Sequence, residues 1–218
     1  MATPPPGLRE RKKQATREAL REAALRLAVE RGPDQVRVEE IAEAAGVSPR
    51  TYNNYFASRE QAIVAAITAD REARIAAAVT ARPATTRLAD AVTEAVVEQY
   101  TDTGEQARET LLLITAKSAL RDAFLDAAAG IEPPLTTVIA ERLGDTDPCT
   151  ARVLAASVAA AVRIALENWL QPSGTTTDAR SVGTSGLVVP SGSLPGLLRA
   201  ALAPLAPAFD AAESPQQP

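Results

Sequence analysis

The sequence predicts an all-α protein with about nine helices. Ala, Leu, Val, Arg and Glu are abundant, and of these Ala, Leu, Arg and Glu lose little side-chain freedom on entering a helix. Aromatic residues make up only 3% of the chain, and the alternating β-branched runs typical of strands are nearly absent. A chain of 218 residues, 46% of them hydrophobic, is long enough to bury a sizeable core in one or two domains.

The N-terminal quarter predicts four helices with clear start and stop signals. The first runs from Leu8 to Arg31 and ends at a Gly-Pro-Asp sequence that cannot continue a helix. A short second helix covers about 38–45. Ser48 caps a third, which continues to about residue 56, and Ser58 with Gln61 forms a capping box for a fourth that reaches about residue 81.

Further helices are predicted over 86–101, 105–115, 117–128, 135–143, 147–170 and 194–211. Pro133-Pro134 is expected to interrupt the helical pattern, and Pro204 and Pro207 to kink the last helix. The segment 171–193 is rich in Gly, Ser and Thr, which predicts a loop. Residues 1–7 and 212–218 are expected to be disordered tails.

Composition excludes several classes of function. The chain has no histidine, the commonest general base and metal ligand in proteins. Its single cysteine, Cys149, rules out an internal disulfide and fits a reducing compartment. We therefore expect no enzymatic activity, no metal and no cofactor. We also find no run of about 20 apolar residues and no signal-peptide pattern, so we expect a cytoplasmic protein without a membrane partner.

The charge is distributed unevenly along the chain. Residues 1–60 contain eleven basic and nine acidic side chains, a net charge of +2. Because the whole chain has a net charge of −4, residues 61–218 carry a net charge of −6. Residues 9–17 are denser still, with five bases and one acid. Such asymmetry indicates an end of the protein that faces nucleic acid, although a solvated helix face would show the same excess.

Residues 38–59, VEEIAEAAGVSPRTYNNYFASR, read as two short helices joined by a tight turn at Gly46. At 100° per residue, Tyr52, Tyr55 and Phe56 share an inner face with Ile41 and Val47. The opposite face has no acidic and no large apolar residue. It carries Arg50, Thr51, Asn53 and Asn54. Arg pairs bidentately with guanine and Asn with adenine, so this face suits the recognition helix of a helix-turn-helix. Any αα-hairpin can also present polar residues outward.

Residues 11–64 resemble the DNA-binding domain of the TetR/AcrR family. RKKQATREALREAALRLAVERG is similar to the family's first helix, and VEEIAEAAGVSPRTYNNYFASREQAI to its turn, recognition helix and the start of its fourth helix. The resemblance implies a three-helix helix-turn-helix DNA-binding domain over 8–57, followed by a helical effector-binding and dimerisation domain over 58–211.

The resemblance also implies a set of DNA-contacting residues. Tyr55 and Arg59 match positions that usually hold phosphate, and the recognition-helix residues match positions that approach bases. Two departures stand out: Arg37 occupies a position that is often Thr, and Asn53 replaces a frequent aromatic residue. The full expected set is Lys12, Lys13, Arg17, Arg37, Ser48, Arg50, Thr51, Asn53, Asn54, Tyr55 and Arg59.

By the same resemblance, we expect a homodimeric repressor that leaves a roughly palindromic double-stranded DNA operator when a small hydrophobic or amphipathic effector binds. The expected walls of the effector site are Tyr100, Leu112, Ile114, Phe124, Val138 and Trp169. Ordinary core packing is an alternative for each of them. The stripe Val158, Val162, Leu166 and Trp169 fits either a core or a partner helix. A helical ligand-binding or carrier protein without a DNA-binding role is the competing interpretation.

Overall fold

The computed structural model describes residues 8–69, 71–101, 117–144, 148–171 and 193–214. Within these ranges the chain is helical and has no strand, which confirms the predicted all-α class. The chain divides into two compact units between Ala69 and Asp70.

The first unit contains four α-helices, α1 (Leu8–Arg31), α2 (Val38–Ala44), α3 (Pro49–Tyr52) and α4 (Arg59–Ile67), with a 3₁₀ turn at Pro33–Gln35. The second unit contains, among its described residues, α5 (Arg71–Ala81), α6 (Leu88–Thr101), α7 (Ser118–Ala127), α8 (Glu132–Leu143), α9 (Pro148–Leu170), α10 (Leu194–Leu202) and α11 (Ala206–Glu213). Two further 3₁₀ turns cover Ala128–Ile131 and Ala203–Leu205.

The core of the first unit forms where α1 packs against α2 and α4. Leu20 and Ala24 are fully buried, as their helical spacing predicted, and Leu27 is nearly so. Ile41 and Ile63 meet them from α2 and α4 and are also fully buried. Burying one such aliphatic side chain contributes roughly 1.5–3 kcal/mol, so these contacts hold α2 and α4 against α1.

The predicted helix ends are confirmed in the first unit. Gly46, at a φ of 69°, ends α2 in the left-handed conformation that favours glycine. Its N–H donates to the Glu43 carbonyl at 3.0 Å, and Val47 N–H donates to the Ala42 carbonyl at 2.9 Å. This pair of bonds is a Schellman motif, which reverses the chain in one turn. The hydroxyls of Ser48 and Ser58 each accept a backbone N–H three residues on.

The predicted fourth helix is two helices, so its expected continuation to residue 81 is wrong. Thr68 is the C-cap of α4, and its hydroxyl and its N–H both donate to the Val64 carbonyl. Threonine hydroxyls that bond a helix carbonyl in this way often bend helices. The two compact units divide just after this point. The first unit therefore includes α4, which the sequence had grouped with the second domain.

The long helix α9 lies at the centre of the second unit and packs against α7, α8 and α10. Val158, Val162 and Leu166 are fully buried there, so most of the predicted apolar stripe belongs to the protein's own core. The opposite face of α9 exposes Val153 and Ile164, at 57% and 53% of their surfaces.

The two pairs of prolines differ in their effect on the helices. Pro133-Pro134 does not interrupt a helix, because both residues lie in the first turn of α8, where a missing N–H has no intrahelical acceptor to lose. The kink expected near Pro204 and Pro207 is confirmed, since a 3₁₀ turn at Ala203–Leu205 separates α10 from α11.

The segment Cys149–Leu170 is long and apolar enough to cross a membrane by length and composition, with a mean hydropathy of 1.6. Arg152, Arg163 and Glu167 interrupt this stretch, so it is not an unbroken run of apolar residues. Half of the stretch is buried inside the unit. That burial matches a helix at the core of a folded domain.

The chain remains ordered beyond the predicted end of the last helix. α11 continues to Glu213, whose carboxylate accepts the N–H of Leu88 at 3.0 Å at the start of α6. A carboxylate in this position satisfies one of the N–H groups that lack an acceptor within their own helix. The predicted helix at 105–115, nearly all of the predicted loop at 171–193, and residues 1–7 and 215–218 lie outside the described residues.

Candidate nucleic-acid interface

The recognition helix α3 is anchored by two aromatic side chains. Tyr52 is fully buried and Phe56 is 2% exposed, with ring centroids 5.9 Å apart. The Tyr52 hydroxyl donates to the Ser58 carbonyl at 2.7 Å. This bond joins α3 to the start of α4 and satisfies the one polar group of a buried ring.

The outer face of α3 and of the turn that follows it is polar and exposed. Arg50, Asn53 and Asn54 are exposed, and the Arg50 side chain makes no hydrogen bond or ion pair within the described part of the chain. The helix ends at Tyr52 rather than at residue 56 as predicted, so the two asparagines lie in the turn that follows it. All three side chains are open to solvent.

Ser48 and Thr51 are engaged in capping. The Ser48 hydroxyl accepts the Thr51 N–H at 3.1 Å, and the two hydroxyls lie 2.9 Å apart. Both side chains therefore stabilise the start of α3 directly. Tyr55, in the turn that follows α3, is partly buried.

Basic residues of α1 lie beside the recognition element. The Arg17 guanidinium is 5.8 Å from the centroid of the Phe56 ring, a cation–π contact. Lys12 and Lys13 are exposed one turn earlier on the same helix. Arg17 therefore lies next to the element that carries α3, and exposed basic side chains such as Lys12 and Lys13 are of the kind that phosphate backbones favour.

Arg59, expected to hold phosphate, has acceptors within the protein. One of its Nη atoms donates to the carbonyls of Asp34 and Val36, both at 3.0 Å, and its Nε donates to Glu60 at 2.7 Å. These bonds tie the start of α4 to the connection between α1 and α2. The structure thus gives Arg59 a stabilising role that the family resemblance did not indicate.

Arg37 precedes α2 in the place where a capping side chain is expected, and a guanidinium cannot accept hydrogen bonds. Glu40 supplies the missing cap: its carboxylate accepts the Arg37 N–H at 3.0 Å and the Arg31 guanidinium at 2.9 Å. The sequence reasoning missed Glu40, although its spacing three residues after the cap position is that of a capping box. The Arg37 side chain itself is exposed.

In the second unit, two of the expected effector-site residues come together around a residue that was not predicted. The Arg71 guanidinium carbon lies 4.5 Å from the Tyr100 ring centroid and 5.7 Å from that of Phe124. Burial raises the pKa of the Tyr100 hydroxyl, and the charge of Arg71 opposes that rise. Nothing in the sequence pattern marked Arg71, because its neighbours are distant along the chain.

The other expected effector-site residues that the structure describes lie on α8 and α9. Val138 is buried in α8, and Trp169 is partly exposed near the end of α9. Leu112 and Ile114 lie outside the described residues. In the part of the chain that the structure describes, no three acidic or cysteine side chains form a group that could hold a metal ion.

Comparison with known proteins finds two family models that match this chain. The model for bacterial regulatory proteins of the tetR family matches residues 20–66, which covers most of the first unit. A model described as the MftR C-terminal domain matches residues 83–182 in the second unit.

Two curated relatives resemble the N-terminal part. The HTH-type transcriptional regulator TcmR of Streptomyces glaucescens is 45% identical over 64 residues, or 29% of this chain and 28% of the relative. The HTH-type transcriptional regulator BetI of Rhizobium meliloti (strain 1021) is 47% identical over 51 residues, or 23% of this chain and 25% of the relative. The chain thus matches about a quarter of the length of these relatives.

The buried hydroxyl of Tyr52 should make the stability of the first unit depend on alkaline pH. Burial, with a smaller contribution from the charge of Glu60, raises the pKa of Tyr52 from 10.0 to about 12. Because the folded state then holds the phenol proton more tightly, the free energy of unfolding should fall by about 2–3 kcal/mol between pH 10 and pH 12. Below pH 10 this contribution is fully present.

Replacing Tyr52 by Phe should remove that fall and, at neutral pH, cost about 1 kcal/mol for the missing bond to Ser58. Denaturant unfolding followed by circular dichroism at neutral and alkaline pH measures both effects. Tyr55→Phe, which retains Tyr52, is the control and should keep the wild-type pH dependence. Equal alkaline losses in Tyr52→Phe and wild type would contradict the burial of this hydroxyl.

Proposed function

The chain belongs to the TetR family of transcriptional regulators, and we propose that it is a repressor which leaves its operator when a small hydrophobic or amphipathic effector binds the second unit. The observation that carries the proposal is the polar, exposed face of α3 fixed upon the buried Tyr52. The family assignment points to regulation through DNA rather than to catalysis.

Base readout in this proposal falls to the exposed side chains of α3 and the following turn. Arg50 offers a planar fork that matches the O6 and N7 atoms of guanine, and Asn53 or Asn54 can pair with adenine. Lys12, Lys13 and Arg17 supply phosphate contacts, which position the protein without specifying sequence. The exposed Arg37 side chain can extend this set.

Dimerisation would present two copies of α3 to successive turns of the major groove, which requires an operator with two related half-sites. The exposed face of α9 supports such a dimer, since Val153 and Ile164 are large apolar side chains left uncovered within one protomer. The last helices add mostly small exposed residues, among them Ala200, Ala208 and Ala211, which permit close approach of a partner.

Arg50→Ala should lose operator affinity about tenfold to a hundredfold, because a bidentate pair with guanine discriminates by roughly 1–3 kcal/mol. It should also relax the preference at one base pair in each half-site. The measurement is a binding titration with DNA from upstream of the protein's own gene, substituted singly at every position.

Lys12→Gln is the matched control for that experiment. Because it removes a phosphate contact, it should weaken binding to all members of the panel alike. If Arg50→Ala also lost affinity evenly across the panel, Arg50 would be a phosphate contact, and base readout would fall to Asn53, Asn54 or Thr51. Arg59→Ala is unsuitable as a control, because it removes three hydrogen bonds that stabilise the first unit.

Ile164→Glu should convert the dimer to a monomer, because a carboxylate buried without a partner in an apolar interface is strongly unfavourable. We expect at least a tenfold weaker self-association in sedimentation at micromolar concentration and a matching loss of operator affinity. Ala73→Glu adds the same charge at an exposed position of α5 and should leave the dimer intact. A variant at Ile164 that remained fully dimeric would exclude this face of α9 as the interface.

A further inference from the structure

Arg71 holds a buried hydrogen-bond donor that has no acceptor. It begins α5 and its Nε atom is shielded from solvent, yet no group in the described part of the chain accepts a hydrogen bond from it. Buried donors in folded proteins are nearly always paired, and a charged one is the costliest to leave unpaired. The rest of the guanidinium makes cation–π contacts with the rings of Tyr100 and Phe124 and a hydrogen bond with the Tyr100 hydroxyl, but none of these contacts supplies an acceptor for Nε.

The second unit provides carboxylate partners for several of its arginines but not for Arg71. Five of them form ion pairs with acidic side chains, namely Arg82, Arg87, Arg152, Arg163 and Arg199. Arg71 makes no such pair among the described residues. The neighbouring Glu72 carboxylate lies against Gly130, so close that a Cβ there would meet its Oε1 at 2.7 Å. Within the described chain, the cation is therefore left without an anion.

We propose that Arg71 is the anion-binding residue of the effector site, and that the effector carries one carboxylate joined to an apolar body. This inference rests on the proposed function, because it assigns the chemistry of the effector that the second unit is proposed to bind. The carboxylate takes the Nε edge of the guanidinium in a bidentate pair, and the apolar body packs beside the rings of Tyr100 and Phe124.

The charges around Arg71 favour a monoanion. One guanidinium neutralises one negative charge, so a dianion would bring a second charge into the unit without a cation to neutralise it. The planar fork of arginine also matches the geometry of a carboxylate. The Nε–H is shielded from bulk water, so its acceptor must enter the unit, which an apolar molecule with a single charged end can do more readily than a dianion.

The direct test uses decanoate as the probe, with decanol as its uncharged counterpart and decyl phosphate as a dianion, in calorimetric titrations of the full chain. Wild type should bind decanoate at least tenfold more tightly than either of the others. Arg71→Gln should lose at least tenfold in decanoate affinity, whereas Arg74→Gln, one turn along on the exposed face of α5, should keep it. Equal affinities for decanoate and decanol, tighter binding of decyl phosphate, or unchanged binding in Arg71→Gln would overturn the proposal.

A second measurement needs no ligand. Arg71→Met keeps the length of the side chain and its contacts with the rings but removes the unpaired donor, so the melting temperature of the free protein should stay the same or rise. Arg142→Met is the control: its guanidinium donates to the carbonyls of Arg82 and Thr86, and its loss should lower the melting temperature. An equal fall in both variants would make Arg71 a structural residue and overturn the proposal.

Operator binding without probe separates this inference from the proposed function. Arg71→Gln should bind operator DNA as wild type does, since the first unit is unchanged. If decanoate bound through Arg71 but did not release DNA, the anion site would stand and effector release would fail. If wild type bound the operator but no carboxylate, the anion site would fail while DNA binding stood.

Discussion

The recognition element of this protein depends on the burial of one side chain, that of Tyr52. A helix of four residues is too short to persist by its own hydrogen bonds. It exists here because the ring is enclosed in the core of the first unit and its hydroxyl is bonded to the Ser58 carbonyl. The cap at Ser48 and the left-handed Gly46 set the direction of the chain on one side of this anchor, and Phe56 extends it on the other. Arg50 and its neighbours hold a fixed position only because this anchor does.

Arginine has two different roles in the molecule, and the partner of each guanidinium determines which. Arg59 and Arg142 bind backbone carbonyls and join segments that are distant along the chain. Arg50 makes no bond within the described residues and faces outward. Arg71 belongs to neither group, because it is partly buried like a structural arginine yet lacks an acceptor for its Nε among the described residues. Net charge or residue type alone cannot separate these roles.

Local signals made the first unit largely predictable. The stop at Gly32, the caps at Ser48 and Ser58, and the inner face of Tyr52 and Phe56 all depend on residues within a few positions of each other. The break after Ile67 and the start of α8 at Glu132 were missed, because a threonine and a proline pair are each compatible with more than one helix boundary. The acceptors of Arg59 lie up to 25 positions away, and the ring partners of Arg71 are more distant still. Such contacts arise from tertiary packing, which periodicity cannot reveal.

The central claim is that the first unit binds DNA with the basic side of α1 and the polar face of α3. The most direct test is the affinity of the full chain for DNA upstream of its own gene, measured over a series of salt concentrations beside an unrelated duplex of equal length. We predict that log affinity falls linearly with log salt as condensed counterions are released. Lys12→Gln should reduce the slope by about one for each phosphate that the lysine neutralises, and the upstream DNA should bind more tightly throughout. An affinity that hardly changed with salt, or equal binding of both duplexes, would contradict this claim.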